Sequence, residues 1–190
     1  MAQFGHARDG SPDSGKPVLP VAAYDAHGDI GYWFGGRWQP QVSAFFDYYT
    51  GNCREGRIGR FDTLYGARRF EFGPTELFGA ADRSNLVSPG IRLKASPTRR
   101  LSLMTDYRLH KLASAVDRFS NSDVRDETGG ARRSAGQRGQ AQAEYDLIPK
   151  VVALDISYAR LFKGCFFRDA PNAPDFRHNS YGYVTMMFSF

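Results

Sequence analysis

Residues 87–109 read VSPGIRLKASPTRRLSLMTDYRL, and the alternation of apolar and polar side chains in this stretch decides the fold class. Apolar side chains occupy every second position on both sides of the short segment 97–99. A period of two is typical of a β-hairpin with one apolar face. Each arm approaches the roughly 9–11 residues with which a tilted strand crosses a bilayer. The stretch therefore predicts two antiparallel membrane strands.

The same alternation recurs along the rest of the chain. It covers residues 24–34, 38–48, 140–147, 152–158 and 181–190, so the sequence predicts seven strands. Because side chains on one face of a sheet recur at every second position, the apolar set should share one outer, lipid-facing surface. That predicted surface contains Trp38, Val42, Phe46, Ile91, Leu93, Leu103, Tyr107, Leu154, Ile156, Val184 and Phe188.

The connections between the predicted strands alternate strictly between short and long. Segments 35–37, 97–99 and 148–150 are short, whereas roughly 50–85, 113–137 and 163–179 are long. Outer-membrane barrels have short periplasmic turns and long extracellular loops, while soluble sandwiches, the alternative fold, mix loop lengths. We therefore predict an all-β, antiparallel, up-and-down transmembrane β-barrel. The chain would supply a partial barrel of about seven strands over residues 21–190, preceded by a flexible segment at residues 1–20.

Composition excludes several other classes of protein. The mean hydropathy of −0.47 and the lack of a run of about 20 apolar residues exclude a polytopic helical membrane protein. The histidines are scattered, only two cysteines are present, and neither a nucleophile elbow nor a P-loop occurs. We expect no enzyme activity, cofactor or metal site. The net charge of +5, carried mainly by arginine, indicates an anionic partner.

Two groups of motifs carry a family resemblance. The first comprises RFDTLYGARRFEFGPT (60–75), RSNL (83–86), SPGIRL (88–93), DYR (106–108) and LAS (112–114). The second comprises LFKG (161–164) and FRDAPN (167–172). In this order, and over roughly residues 24–190, the motifs closely resemble the C-terminal portion of the alginate export family of Gram-negative outer-membrane proteins.

The resemblance implies an outer-membrane channel of about eighteen strands that exports an acidic polysaccharide such as alginate. We expect this chain to be the C-terminal part of such a barrel, because it supplies seven strands and residues 1–20 are not a secretory signal. We expect seven strands alone not to form a functional pore. The expected partners are the polysaccharide, outer-membrane lipid and the outer-membrane assembly machinery, and not nucleic acid.

The expected substrate-binding residues are basic side chains of the lumen and of the first long loop. Arg92, Lys94, Arg100 and Arg108 would form a basic ladder on two adjacent strands, because rows of Arg and Lys select anions in pores. Arg68, Arg69 and Arg83 would act from the loop at 50–85, whose aromatic side chains should fold it into the barrel mouth. The alternative for the ladder is charge balance with inward acids, among them Asp47, Asp106, Glu144, Asp146 and Asp155.

Other features leave the interpretation open in part. Phe188 and Phe190 are similar to the C-terminal signal that the outer-membrane assembly machinery reads, although a terminal aromatic can also be a core residue. The sequence leaves open the transported substrate, the oligomeric state and whether Cys53 and Cys165 are bonded. Two alternative functions remain: an anion-selective diffusion porin, and a β-sheet module that binds polyanions without forming a pore.

Overall fold

An antiparallel meander of eight strands makes up the fold. The computed structural model describes residues 1–8, 15–53, 56–62, 72–77, 81–175 and 178–189. Two four-residue helices, α1 (Pro74–Leu77) and α2 (Phe166–Asp169), lie in long loops. The strands are β1 (Ala2–Arg8), β2 (Val18–Trp33), β3 (Gln41–Tyr49), β4 (Leu86–Thr98), β5 (Leu101–Lys111), β6 (Ser134–Ile148), β7 (Val152–Lys163) and β8 (His178–Phe188).

Each strand pairs antiparallel with the next one along the chain, in the order β1 to β8. Among the described residues β1 and β8 do not pair with each other, so the sheet is open and forms part of a barrel wall. The predicted all-β, up-and-down fold is confirmed. Part of the segment expected to be flexible is instead a strand: β1 pairs with the first half of β2, from Ala2 opposite Tyr24 to Arg8 opposite Val18. The described residues therefore contain eight strands rather than the predicted seven.

The two faces of the sheet differ as the alternation predicts. Ten of the eleven residues predicted to face lipid have exposed side chains, and Leu154 is half-buried. The opposite face, here called the inner face, carries the polar residues Ser43, Asp47, Asp106 and Ser157, all of which are buried. An apolar exterior combined with a polar interior is the arrangement of a membrane barrel and the reverse of a water-soluble sheet.

The first short turn departs from the prediction. The alternation places Trp38 in a strand, but β3 begins only at Gln41. Trp38 and Gln39 have φ angles of 76° and 43°, which are left-handed conformations that a strand does not contain. Together with Tyr32 and Phe34, whose rings meet edge to face at 4.8 Å, Trp38 gives this end of the sheet exposed aromatic side chains. Aromatic girdles of this kind mark membrane interfaces.

The predicted alternation of connections is confirmed. The short turns 34–40, 99–100 and 149–151 lie at one end of the sheet, and the long loops lie at the other. The long loops are L1 (50–85), L2 (112–133) and L3 (164–177). The described residues contain no helix long and apolar enough to cross a membrane.

The apolar core lies beneath the long loops rather than between two sheets. Phe61 and Phe72 of L1, Phe119 of L2, and Phe166 and Phe167 of L3 are at most 5% exposed. They pack in one cluster with residues at the loop ends of the strands. In the described part of L1, Phe61 and Phe72 therefore pack inward, while the rest of the inner face stays polar.

Replacing Ile156 by Arg tests which solvent the outer face meets. Ile156 is 46% exposed and lies on β7 opposite Val184. At the midplane of a bilayer an Arg on the lipid face costs about 2–4 kcal/mol, whereas on a water-facing surface most substitutions stay within about 0.5 kcal/mol. Urea unfolding of the chain folded into phosphatidylcholine vesicles, followed by tryptophan fluorescence, measures the difference.

The matched control is Thr185→Arg on the inner face of β8, at a neighbouring position opposite Asp155. We expect this variant to unfold close to the wild-type urea concentration. Equal, small effects of the two substitutions would contradict a lipid-facing outer surface.

Candidate functional site

A buried ion pair crosses the middle of the inner face. Arg108 of β5 places its Nη1 2.6 Å from Oδ2 of Asp47 on β3, and their side chains are 2% and 1% exposed. His27 of β2 approaches the same carboxylate, with Nδ1 2.5 Å from Oδ1 of Asp47. A charge removed from water is tolerated when it is paired and hydrogen-bonded, and Asp47 meets both conditions.

Asp106 lies close to three arginines at the same level of the sheet. Arg138 Nη2 donates to its Oδ1 at 2.7 Å, Arg108 Nε lies 3.9 Å from the same oxygen, and Arg92 Nη2 lies 4.0 Å from Oδ2. Together with Asp47, these residues form what we call the charge cluster: Asp47, Arg92, Asp106, Arg108 and Arg138. Counting formal charges, three arginines meet two aspartates.

Gly90 makes the Arg108–Asp47 contact possible. Arg108 lies opposite Gly90 in the β4–β5 register, and Gly90 lies opposite Phe45 in the β3–β4 register, so Arg108 must reach across the whole width of β4. A Cβ at Gly90 would lie 2.4 Å from the Phe45 ring. With no side chain there, the ring lies over the strand, and the Arg108 guanidinium stacks on it at 4.0 Å from the ring centre. This cation–π contact adds to the ion pair.

The charge cluster also holds L1 against the inner face. Arg138 Nη1 donates to the carbonyl oxygen of Phe72 and, at 2.9 Å, to Oγ1 of Thr75. The Phe72 ring lies 4.9 Å from the Arg108 guanidinium carbon. Gly73 lies so close to Gln140 that a Cβ would be 2.4 Å from the amide nitrogen. Residues 72–75 therefore occupy space on the inner side of the sheet.

Asn85 joins L1 to L2. Its side-chain amide donates to the carbonyl oxygens of Ser114 and Arg118 at 3.1 and 2.9 Å, and its Oδ1 accepts from the Ser114 backbone N–H at 2.6 Å. Asn85 has a φ of 48°, and a Cβ at Gly51 would lie 2.3 Å from its Oδ1. Gly51 is therefore required at this position, because any side chain there would overlap the Asn85 side-chain amide.

Asp117 of L2 forms a second link to L1. Its carboxylate accepts from the backbone N–H of Asn52 at 2.8 Å and from Nη1 of Arg60 at 2.9 Å. Burial lowers the pKa of Arg60, while the neighbouring Asp117 acts in the opposite direction.

L2 in turn joins L3. Asn172 accepts from the Arg125 backbone N–H at 2.9 Å, and Arg132 Nε donates to Asp169 at 2.9 Å. The rings of Phe119 and Phe167 meet edge to face with centres 5.3 Å apart. The three loops thus pack as one layer.

The part of the inner face nearer the short turns is open and less paired. A pocket of about 260 Å³ lies there between β4 and β8, with Gly73 above it. Lys94 faces this pocket, and Arg100 lies at the turn beyond it. Both side chains are exposed, and neither forms an ion pair within the described residues. The positive charges of Lys94 and Arg100 are therefore accessible to a ligand.

The structure separates the predicted ladder into two kinds of residue. Arg108 is buried in ion pairs, as the charge-balance alternative predicts, and Arg92 reaches both Asp106 and the ring of Phe45. Lys94 and Arg100 lie on the same face and remain exposed.

The other predicted site residues lie elsewhere. Arg83 lies in L1 just before β4, where its backbone N–H donates to Asp82 at 2.7 Å. Arg68, Arg69 and Phe190 lie outside the described residues. Phe188 is the last residue of β8 and is 64% exposed.

Sequence reasoning missed Arg138, which is fully buried on the inner face, and gave no site role to Gln140, which it placed on the polar face of a strand and which is almost fully buried. The signal was present, because residues 138, 140, 142 and 144 continue one polar face of β6. The predicted strand began only at residue 140, so Arg138 was assigned to a loop.

One comparison with known proteins identifies a relationship. The family model described as "Alginate export" matches residues 1–179 of the chain. No curated protein matches the chain. The match includes β1, which lies within the segment that the sequence predicts to be flexible.

Replacing Arg108 by Gln should destabilise the fold, because it leaves Asp47 buried without its main cation. Loss of one partner from a buried ion pair costs about 3–5 kcal/mol. The double variant Asp47→Asn/Arg108→Gln should recover part of that loss. Urea unfolding of the four proteins of this double-mutant cycle measures the coupling energy.

Arg100→Gln is the control, since it removes an exposed arginine that has no ion pair with any described residue, and we expect a change within about 0.5 kcal/mol. An Arg108→Gln effect of similar size would contradict a structural role for the charge cluster.

A second prediction concerns acid loosening of L2. Hydrogen bonds from the Thr128 side chain and the Ala131 backbone N–H lower the pKa of Asp126, and a hydrogen bond from Arg132 lowers that of Asp169. Groups with a depressed folded-state pKa stabilise the fold above their unfolded pKa of about 4 and lose that contribution as the pH falls through the folded value. Hydrogen exchange of L2, corrected for intrinsic rates, should therefore accelerate below about pH 4.

The variant Asp126→Asn should exchange faster at neutral pH and respond less to acid. If wild type and variant lose protection in parallel, the Asp126 carboxylate does not hold L2.

Proposed function

Because the chain belongs to the alginate export family, whose members are outer-membrane transport barrels and not enzymes, we propose that its sheet lines the path of an exported acidic polysaccharide. At the level of the family, the protein is a polysaccharide export channel of the outer membrane. The substrate we propose is alginate or a closely similar polyuronate. The remaining partners we propose are outer-membrane lipid on the apolar face and the barrel assembly machinery, which would read the terminal strand that includes Phe188.

The observation that carries the proposal is the division of the inner face into a closed and an open part. Near the long loops the arginines are committed to aspartates and to L1. Nearer the short turns Lys94 and Arg100 project from β4 and from the β4–β5 turn without an ion pair among the described residues. Unpaired lysines and arginines on a lumen wall select anions.

A polyuronate carries one carboxylate per sugar, so it could move along these cations one unit at a time. The binding at each position must be weak enough for the polymer to leave, and exposed side chains in water satisfy that requirement. In this proposal Arg92 is intermediate, because it is half-buried and bound loosely to Asp106. Arg108 keeps the wall in shape and does not touch the polymer. Arg83, Arg68 and Arg69 would contact substrate from L1.

Neutralising Lys94 and Arg100 should reduce anion selectivity. We expect Lys94→Gln/Arg100→Gln to shift the reversal potential under a salt gradient toward that of a non-selective pore, because a narrow lumen focuses the field of fixed charges. The measurement uses planar bilayers and a full-length barrel of the family that carries these residues, because the open sheet of this chain alone is not expected to form a pore. Raising the salt from 0.1 to 1 M should erase the difference, since the Debye length falls from about 10 Å to about 3 Å.

The matched control is Arg37→Gln/Lys150→Gln, which removes two positive charges from the other short turns. It should leave the reversal potential closer to that of the wild type. If the Lys94/Arg100 variant and the wild type agree at low salt, these side chains do not set selectivity.

A second readout separates polymer export from the diffusion of small anions. Polymannuronate added to one side of the bilayer should interrupt the ion current, and neutral mannan of similar length should not. A diffusion porin for small acids would show the anion preference without interruption by polymannuronate.

A further inference from the structure

The pocket on the inner face has two chemically different walls. Lys94 and Arg92 of β4 line one side. Gln142 of β6, Asp155 of β7 and Tyr183 of β8 line the other. Gly73 of L1 lies above, so the pocket is covered on the side of the long loops and open toward the lumen. A basic wall therefore faces a wall of amide, carboxylate and phenol.

Asp155 is the centre of the second wall. It is 9% exposed and accepts hydrogen bonds from Nε2 of Gln142 at 2.9 Å and from the Tyr183 hydroxyl at 3.0 Å. No cation lies within ion-pair distance of Asp155 in the described part of the chain. Both of these partners are neutral donors, and the two carboxylate oxygens have lone pairs left to accept further donors.

Two buried polar atoms beside the pocket have no hydrogen-bond partner among the residues that the structure describes. They are Oε1 of Gln140, whose residue is 5% exposed, and Nε of Arg92. Gln140 is fixed from the other side, where its Nε2 donates to Oγ of Ser157 at 3.3 Å. Leaving a buried donor or acceptor unsatisfied costs free energy, so the Arg92 N–H and the Gln140 oxygen favour a ligand or water that supplies the missing acceptor and donor.

We propose that this pocket is a subsite for one uronate unit of the exported polymer, an inference that rests on the proposed function. Lys94 and Arg92 hold the carboxylate of the sugar. Asp155, Gln142 and Gln140 hydrogen-bond its ring hydroxyls. The pocket thus binds both the carboxylate and the hydroxyls of the sugar, and the hydroxyls are what distinguish a sugar acid from a simple organic anion.

The acidic wall is the reason for choosing a sugar acid over a simple anion. Three carboxylates line the pocket, of which Asp106 is already paired with Arg138. The other two, Asp155 and the neighbouring Glu144, bring as many negative charges as Lys94 and Arg92 bring positive ones. A small carboxylate without hydroxyls is attracted by the basic wall and repelled by the acidic wall. A hydroxyl, in contrast, donates to a carboxylate or an amide oxygen, and such charge-assisted hydrogen bonds are about twice as strong as neutral ones.

The size of the pocket agrees with a single sugar unit. At about 30 Å³ per water molecule, 260 Å³ holds roughly eight or nine waters, and ligand pockets for larger molecules begin near 300 Å³. The pocket therefore has room for one sugar unit, and in this proposal the polymer on either side of that unit continues into the lumen.

Binding of three probes to the full chain in detergent micelles tests the proposal. The probes are trimannuronate, neutral mannotriose, and tricarballylate, a tricarboxylate without hydroxyls, each measured by calorimetry at one ionic strength. Lys94→Gln should weaken trimannuronate and tricarballylate alike. Asp155→Asn should weaken trimannuronate about tenfold, because a hydrogen bond to a charged group is lost, and should strengthen tricarballylate.

Gln142→Leu is a second variant on the same wall, and it should also weaken only the two sugars. Asp146→Asn is the matched control: it removes a carboxylate from the inner face of β6 outside this pocket and should affect all three probes little. Thermal unfolding midpoints show whether each variant keeps its fold.

The outcomes distinguish this inference from the function on which it rests. If Asp155→Asn strengthens both anions equally, the pocket is a plain anion site and the inference is wrong, while the export function stands. If the wild type binds neither trimannuronate nor tricarballylate, both are wrong.

Discussion

The burial of two aspartates on the inner face is the constraint on which the rest of the structure depends. Asp47 and Asp106 are each about 1% exposed in side-chain terms, and a carboxylate in that position requires a cation at hydrogen-bond distance. Arg108 and Arg138 supply those cations. Arg138 also holds L1 through Phe72 and Thr75, so the pairing that neutralises the wall also positions the first long loop. L1 holds L2 through Asn85 and Asp117, and L2 holds L3 through Asn172.

The sequence predicted the two faces well, because alternation is a local property that each strand carries by itself. It placed Val42, Ile91 and Val184 on the outer surface with no knowledge of their neighbours. It missed β1, whose residues Ala2–Arg8 do not show the clear alternation of the later strands and pair only through the extended first half of β2. It also placed Trp38 in a strand, since a side-chain pattern does not reveal a positive φ.

The candidate site was predictable in composition but not in detail. The sequence indicated that Arg92, Lys94, Arg100 and Arg108 share a face, which follows from the period of two. Which of them is paired depends on contacts between distant segments: Asp47 is 61 residues from Arg108, and their meeting requires Gly90 between them. Only the strand register and the contacts of the folded sheet show that Arg108 is buried in an ion pair and that the Lys94 side chain is exposed. The family resemblance and the family model agree on the transport class, which chemical reasoning on single residues could not have supplied.

The contact between Gly73 and Gln140 has a consequence for how such a channel can diversify. L1 meets the wall through a short segment, residues 72–75, which supplies the Phe72 carbonyl and ring, the Thr75 hydroxyl and a glycine. Because these contacts lie within four residues, substitutions elsewhere in the loop leave the height of this obstruction unchanged. Divergence toward another polymer would then be concentrated at strand positions such as 94, 142 and 155, where one codon alters the chemistry of the wall without moving the loop above it.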